Sequence, residues 1–293
     1  MFEGIFPALI TPMRADGAVD EKALQEFVDW QIKSGVHGIV PVGTTGESPT
    51  LSHEEHHRVI RLSVEAAEGR VPVIAGTGSN NTHEAVTLTR QAEDDGANAA
   101  LIVTPYYNKP SQDGLYQHYA AIAQATDLPI LIYNIPGRSI IDMSVVTMTR
   151  LFKDYPNIIG VKDATADLAR PLQMRLAAGS DFCQLSGEDG SAVAFWAQGG
   201  HGIISVSANV APGLMVGMYE AWRDNDWPKC ERLRDLLMPI HTAMFVQSSP
   251  GPAKYALSLL GKCLEKVRLP ITPPSVHNRQ IIKEALQHSG LLD

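Results

Sequence analysis

The residue in this sequence with the clearest chemical potential is a lysine. Lys162 directly follows Ile158-Ile159-Gly160-Val161, a short apolar run of the kind that becomes a buried strand. A lysine in such surroundings is costly unless it is paired or neutral. Burial favours the neutral form of an amine, and a neutral amine can attack a carbonyl carbon to form an imine. The plainer reading is an ion pair with its neighbour Asp163. Tyr133 ends a second apolar run. A tyrosine hydroxyl set among other hydroxyls can relay the protons that imine formation and aldol addition both require, although a half-buried tyrosine with a satisfied hydroxyl needs no such role. Thr44 and Thr45 lie in a glycine-flanked turn, Gly43-Thr44-Thr45-Gly46, where backbone N–H groups can face an anion or simply close the turn. Arg138 follows Pro136-Gly137 and could grip a carboxylate with both arms of its guanidinium, or make a surface ion pair. Each signal is weak alone.

Their weight comes from the elements that must position them. Short apolar runs at residues 4–11, 38–42, 71–75, 99–103, 129–134, 158–162, 183–187 and 202–205 alternate with amphipathic helical patterns such as 21–35, 53–67, 82–95 and 114–126. The repeat of roughly 20 to 30 residues suits βαβ units. Eight units in a row predict an α/β fold of the (β/α)8 barrel (TIM barrel) type rather than an open doubly wound sheet. The first strand ends in Thr11-Pro12 and carries no G-x-G-x-x-G. No strand is expected after Ser205; residues 211–223, 228–246, 251–260 and 276–288 read as helices, and 267–274 as a proline-rich connector. The expected organisation is a barrel over residues 1–224 and a C-terminal helical region over 225–293 packed on it. Active sites of such barrels lie at the C-terminal ends of the strands. Thr44-Thr45, Pro105-Tyr106-Tyr107, Tyr133 with Arg138 beyond it, Lys162 and Ser186-Gly187 all fall at that one face. Chance would scatter them over both.

Composition narrows the classes further. With 293 residues, 44% hydrophobic and 19% charged, the chain can bury a large core. A net charge of -8 disfavours binding to a nucleic-acid backbone. No apolar stretch approaches the ~18 residues a membrane span needs, and the N-terminal MFEGIFPALITP has no basic leader, so no signal peptide is expected. Cys183, Cys230 and Cys263 are odd in number and far apart, and read as buried thiols. His53-Glu54-Glu55-His56-His57 fits the H-E-x-x-H pattern of zinc proteases. Ser52 and Glu55 form a capping box, however, which puts His53 at a helix start, and no third ligand follows. No metal site is expected there.

Taken together, GTTGES, PYYNKP, YNIPGR, a strand ending in GVKDAT, and GGHGIISVSANVAP resemble the 4-hydroxy-tetrahydrodipicolinate (dihydrodipicolinate) synthase family, within the N-acetylneuraminate lyase superfamily of class I aldolases. The resemblance runs from Gly4 to about Leu291. It implies that Lys162 forms a Schiff base with pyruvate, that Tyr133, Thr44 and Tyr107 form a proton relay, with Tyr107 reaching a neighbouring subunit's site, and that Thr45 helps hold the pyruvate carboxylate. Arg138 would bind the carboxylate of L-aspartate 4-semialdehyde, and backbone at Gly187 and Ile204 would line the pocket. It further implies no cofactor and no catalytic metal, a homotetramer built as a dimer of dimers, and a place in cytoplasmic diaminopimelate and lysine biosynthesis. Ser48, His53, His56, Asn80, Glu84 and Tyr106 match the positions that bind the feedback inhibitor L-lysine in sensitive members. Two departures stand out. Pro49 occupies a position where small residues are common, and Gln247-Ser248-Ser249-Pro250 replaces a stretch that in many relatives carries Glu and Asn, which leaves room for a different aldehyde partner. Another pyruvate aldolase or dehydratase of the superfamily would need Lys162 and Tyr133 but not Arg138; a non-catalytic effector-binding barrel would need neither.

Overall fold

The computed structural model describes Met1–Asp293. In chain order its strands are β1 (Gly4–Pro7), β2 (Ile74–Gly76), β3 (Ala99–Val103), β4 (Ile130–Asn134), β5 (Ile158–Asp163), β6 (Cys183–Ser186) and β7 (Gly202–Ser205). The helices are α1 (Glu21–Lys33), α2 (His53–Ala67), α3 (Thr82–Asp94), α4 (Gln112–Ala123), α5 (Pro136–Ser139), α6 (Val145–Asp154), α7 (Arg170–Ala178), α8 (Ala192–Ala197), α9 (Pro212–Arg223), α10 (Trp227–Ala243), α11 (Gly251–Leu259) and α12 (Val276–His288). The alternation is that of the (β/α)8 barrel class with a C-terminal helical appendage. No helix is long and apolar enough to cross a membrane.

Local chemistry sets the element ends. The side chain of Ser52 accepts the Glu55 N–H while Glu55 accepts the Ser52 N–H, so the expected capping box starts α2. Ser111, Ser144 and Ser275 cap α4, α6 and α12 by accepting from Gly114, Thr147 and Asn278. Along α1 the buried residues are Leu24, Phe27, Val28 and Gln31, the spacing of a single helix face. After α3 the chain turns through Gly96 at φ 87, where the N–H of Ala97 reaches back to Ala92 O; a side chain there would be strained.

Two compact units divide the chain. One comprises Gly4–Pro72 and Ser205–Asp293. Here two expected strands are shorter than the sequence suggests. Residues 38–42 do not form a regular strand: Val40 bridges Ala8 in parallel, through Leu9 N to Val40 O at 2.9 Å and Val40 N to Pro7 O at 3.0 Å, Ile39 N reaches Pro72 O at 3.0 Å, and the pairing goes no further than Val40. The cause is local, because Pro41 has no N–H to give and Val42 turns away at φ 49. The first strand likewise ends at Pro7 instead of Thr11, because the amide of Asn209 takes over the ladder, donating to Ala8 O at 2.7 Å and accepting from Ile10 N at 3.0 Å. Gln31 in turn donates to Asn209 O at 2.9 Å. In the same unit α10 packs on α9 and α12, and α11 on α12.

The other unit comprises Met1–Glu3 and Val73–Ile204. Its strands form a parallel sheet in the order β7-β6-β5-β4-β3-β2. The expected strand 71–75 is displaced to Ile74–Gly76, since Pro72 cannot donate to a ladder. β3 (AALIV) and β4 (ILIYN) are apolar and buried almost throughout, as strands covered on both faces must be. The register is decisive: Tyr133 lies opposite Lys162, and Asn134 opposite Asp163.

On α4, His118 is buried with Nε2 lacking any partner, while Nδ1 shares a 2.9 Å hydrogen bond with Thr82 Oγ1. Burial pushes its pKa from the usual 6.5 down to about 4. The folded value lies below the unfolded one, so as pH falls the unfolded chain takes up the proton first, and stability is lost between about 6.5 and 4. The His118→Gln variant should remove up to roughly 3 kcal/mol of that acid-side loss. Denaturant unfolding at several pH values will show a flatter slope across this window; an unchanged slope would place the titration on another group.

Candidate active site

Lys162 is only 6% exposed, near the end of β5. Its amine makes no ion pair and no hydrogen bond within the chain, and lies 4.1 Å from the centre of the Tyr133 ring. Asp163 does not compensate it. One Asp163 oxygen accepts the Thr165 N–H at 2.9 Å and the Thr165 hydroxyl at 2.6 Å; the other accepts Nε of Arg170 at 3.1 Å. Alternation along a strand explains the division, since neighbouring residues point to opposite faces. The amine therefore sits in a desolvated place beside an aromatic ring, with no anion of its own.

Gly187, just past β6, explains how the lysine is accommodated. Its N–H donates to Asp163 O at 2.6 Å, and a Cβ there would stand 2.6 Å from Ala164 Cβ and 3.1 Å from Lys162 Cε. Only glycine lets the backbone come this close. Ile204, in β7, is buried. Beyond Gly187, Glu188 has its carboxyl pushed upward by burial and then by neighbouring Asp189, a feature sequence reading did not single out.

Arg138 lies on α5, exposed and without an acidic partner. The short helix is pinned instead by Ser139, whose hydroxyl is within 3.0 Å of both Ile135 O and Ile141 O and accepts from Thr104 Oγ1 at 3.2 Å. Tyr107 is 88% exposed, with φ 73, and makes no hydrogen bond within the chain. Of the expected effector residues in this unit, the Asn80 amide donates to Tyr106 O at 3.1 Å, and Asn108 donates to Asn80 O at 2.8 Å. Ser79 holds the carboxylate of Glu84 through its hydroxyl.

The other unit carries Thr44, half-buried, and Thr45, buried. Their turn is closed by Gly46 N to Gly43 O at 3.0 Å and Glu47 N to Thr44 O at 3.2 Å, and tied down by the Thr11 hydroxyl on Gly46 O at 2.7 Å. Its anchor was missed by the motif reading. Glu47 takes a left-handed conformation, φ 59, and is buried; its carboxylate is held by Lys254 and by the backbone N–H of Arg268 at 2.8 Å. Lys254 is 0% exposed and also donates to Lys266 O at 2.8 Å. Burial lowers its pKa, against the pull of Glu47. The available signal was a lone lysine in the otherwise apolar GPAKYALSL. Arg268 further grips Glu55 with contacts of 2.7 and 2.5 Å.

Both departures noted in the sequence find a structural use. Pro49 lies in a 3₁₀ turn, Ser48–Thr50, at a position where a missing N–H does no harm. Gln247 is occupied by the chain itself: its amide donates to Thr272 Oγ1 at 3.2 Å and Pro273 O at 3.1 Å and accepts from Ser275 N and Asn278 at 3.1 Å. His53 opens α2 and His56 is buried one turn on. No group of three or more His, Cys, Asp or Glu side chains is arranged to hold a metal ion.

Comparison with known proteins follows the same lines. The model of the dihydrodipicolinate synthetase family matches residues 1–289. A 4-hydroxy-tetrahydrodipicolinate synthase of Rhodospirillum centenum is 65% identical over 292 residues, covering 100% of both chains, and one of Acidiphilium cryptum is 56% identical with the same coverage. The crystal structure of a dihydrodipicolinate synthase from Acinetobacter baumannii complexed with pyruvate superimposes with a TM-score of 0.96 at 44% identity, covering 100% of each chain. One from Cyanidioschyzon merolae with lysine bound gives 0.96 at 36% identity, covering 99% of each.

The close approach at Gly187 is testable. Gly187→Ala must displace the Lys162 side chain or the backbone at Ala164, and should slow borohydride-trapped imine formation on Lys162 with pyruvate by about 10- to 100-fold. An unimpaired trapping rate would show that the glycine is not needed to place the amine.

Proposed function

The chain belongs to the dihydrodipicolinate synthetase family, and from that premise we infer that it condenses pyruvate with L-aspartate 4-semialdehyde through an imine on Lys162, in diaminopimelate and lysine biosynthesis. It is a Schiff-base-forming lyase. The observation that carries the mechanism is the buried amine of Lys162, free of any carboxylate and packed on the Tyr133 ring.

In this reading the amine attacks the keto carbon of pyruvate, and loss of water leaves the imine. Removal of a methyl proton gives the enamine, whose carbon adds to the aldehyde. The amino group from the semialdehyde then attacks the imine carbon, closes the ring and releases Lys162. Tyr133 serves the proton transfers, with Thr44 and Tyr107 as the other relay hydroxyls. Thr45 takes the pyruvate carboxylate, Arg138 takes the carboxylate of the semialdehyde, and backbone at Gly187 and Ile204 lines the pocket. The exposed, unpartnered Tyr107 supports a role in a neighbouring subunit's site; the assembly that goes with this reading is a homotetramer built as a dimer of dimers. The lysine-bound relative supports L-lysine as an effector held by Ser48, His53, His56, Asn80, Glu84 and Tyr106. The proposed location is the cytoplasm. Another aldolase or dehydratase of the superfamily would not need Arg138; of the stretch that left room for a different aldehyde partner, Gln247 is engaged by the C-terminal segment.

Turnover of pyruvate with L-aspartate 4-semialdehyde, coupled to a nicotinamide-dependent reductase, tests the reaction directly. Lys162→Arg retains a charge but offers no neutral amine near pH 7, so turnover should fall by several orders of magnitude; near-normal activity would refute the mechanism. Arg138→Ala should damage use of the aldehyde far more than trapping of pyruvate, and equal damage to both would make Arg138 structural. Titration with L-lysine should inhibit, and Glu84→Ala should abolish the inhibition; a flat curve for the unaltered enzyme would remove the effector site.

A further inference from the structure

Behind the face that carries Tyr133 and Lys162 lies a second cluster, which the mechanism does not use. Asn134 and Asp163 are opposite one another in the β4–β5 register and are both buried. The guanidinium of Arg170, also buried, reaches three partners from the start of α7. Nε donates to Asp163 at 3.1 Å, Nη1 lies 3.1 Å from the carboxylate of Asp142, and Nη2 donates to Met143 O. Asn134 closes the ring of contacts. Its amide donates to Asp142 Oδ1 at 2.7 Å and accepts from Met143 N at 3.0 Å. Residues 142 and 143 lie in the segment that leaves α5, three residues beyond Ser139. One planar cation and one amide therefore clamp that segment to the strands carrying the nucleophile and the relay tyrosine.

Arg138, on α5, has no partner to locate it. Its place is set by how the backbone on either side is held: the end of β4 before it, and Asp142-Met143 after it. We propose that Arg170 is a positioning residue that holds the Arg138 turn at a fixed distance from Lys162, and thereby sets affinity for the carboxylate of the aldehyde substrate. The inference rests on the reaction assigned above. A lysine cannot reproduce the clamp, because a single ammonium cannot reach across to Asp163, Asp142 and Met143 O in the plane of a fork. Asp142 differs from the rest of the cluster in being half-exposed, so altering it tests the Arg138 arm without burying a new charge.

The experiment compares Arg170→Lys and Asp142→Ala with the unaltered enzyme by steady-state kinetics in both substrates and by borohydride trapping of pyruvate, with Tm recorded for each. The expected result is a KM for L-aspartate 4-semialdehyde raised about tenfold or more in both variants, with the KM for pyruvate and the trapping rate changed less than about twofold in Asp142→Ala. Arg170→Ala should recover aldehyde affinity when methylguanidinium is added. Two results would overturn the proposal: equal shifts in both KM values, or a lowered Tm with unchanged KM values in Asp142→Ala. If the unaltered enzyme traps pyruvate yet does not use the semialdehyde, the assigned reaction fails and the proposal fails with it; that outcome is seen before any variant is made.

Discussion

The arrangement of the candidate site depends on one constraint, the parallel register between β4 and β5. It places Tyr133 beside Lys162 and Asn134 beside Asp163, one pair on each face. A slip of one residue would exchange the faces. It would turn a carboxylate toward the aromatic ring and the amine toward Arg170. With the register as it is, all the compensation lies on one side. Asp163 is satisfied by Arg170 and Thr165, while Lys162 meets only the Tyr133 ring. The chemistry of the amine follows from what has been kept away from it.

Lys254 shows what the same residue type does when it is not kept apart. It is more deeply buried than Lys162, yet its ammonium meets Glu47 and a backbone carbonyl. Removing one partner of such a buried pair typically costs about 3–5 kcal/mol, because the other charge is left without compensation. The two lysines thus separate structure from reactivity by environment alone. One meets a carboxylate and a backbone carbonyl, the other meets only an aromatic ring.

Much of this was legible from the sequence because it is local. The apolar run ending in Lys162, the short strands covered on both faces, and the Ser52–Glu55 capping box that starts α2 at His53 all rest on neighbours within a few residues. The shortened strands were hidden for a related reason. Residues 38–42 have the composition of a strand, and only the proline at 41 and the turn at Val42 betray that pairing stops. What could not be read was pairing over distance. Asn209 completes the ladder at Ala8 and Ile10, Arg170 reaches back to Asp142, and Gln247 fastens the segment from Thr272 to Asn278. A side chain of the right type announces that it needs a partner, and only the fold says which.

The turn bearing Thr44 and Thr45 has a history as well as a shape. Glu47 belongs to the first fifth of the chain, whereas the groups that neutralise it, Lys254 and the N–H of Arg268, lie 207 and 221 residues later. A nascent chain emerges from its N-terminus, and most of the strands are available long before α11 is made. Until then the local hydrogen bonds of the turn can form, but the Glu47 carboxylate lacks the cation and the N–H that neutralise it in the folded chain. The carboxylate that anchors this turn is therefore neutralised only by the last fifth of the chain, although the turn is among the first parts to be translated.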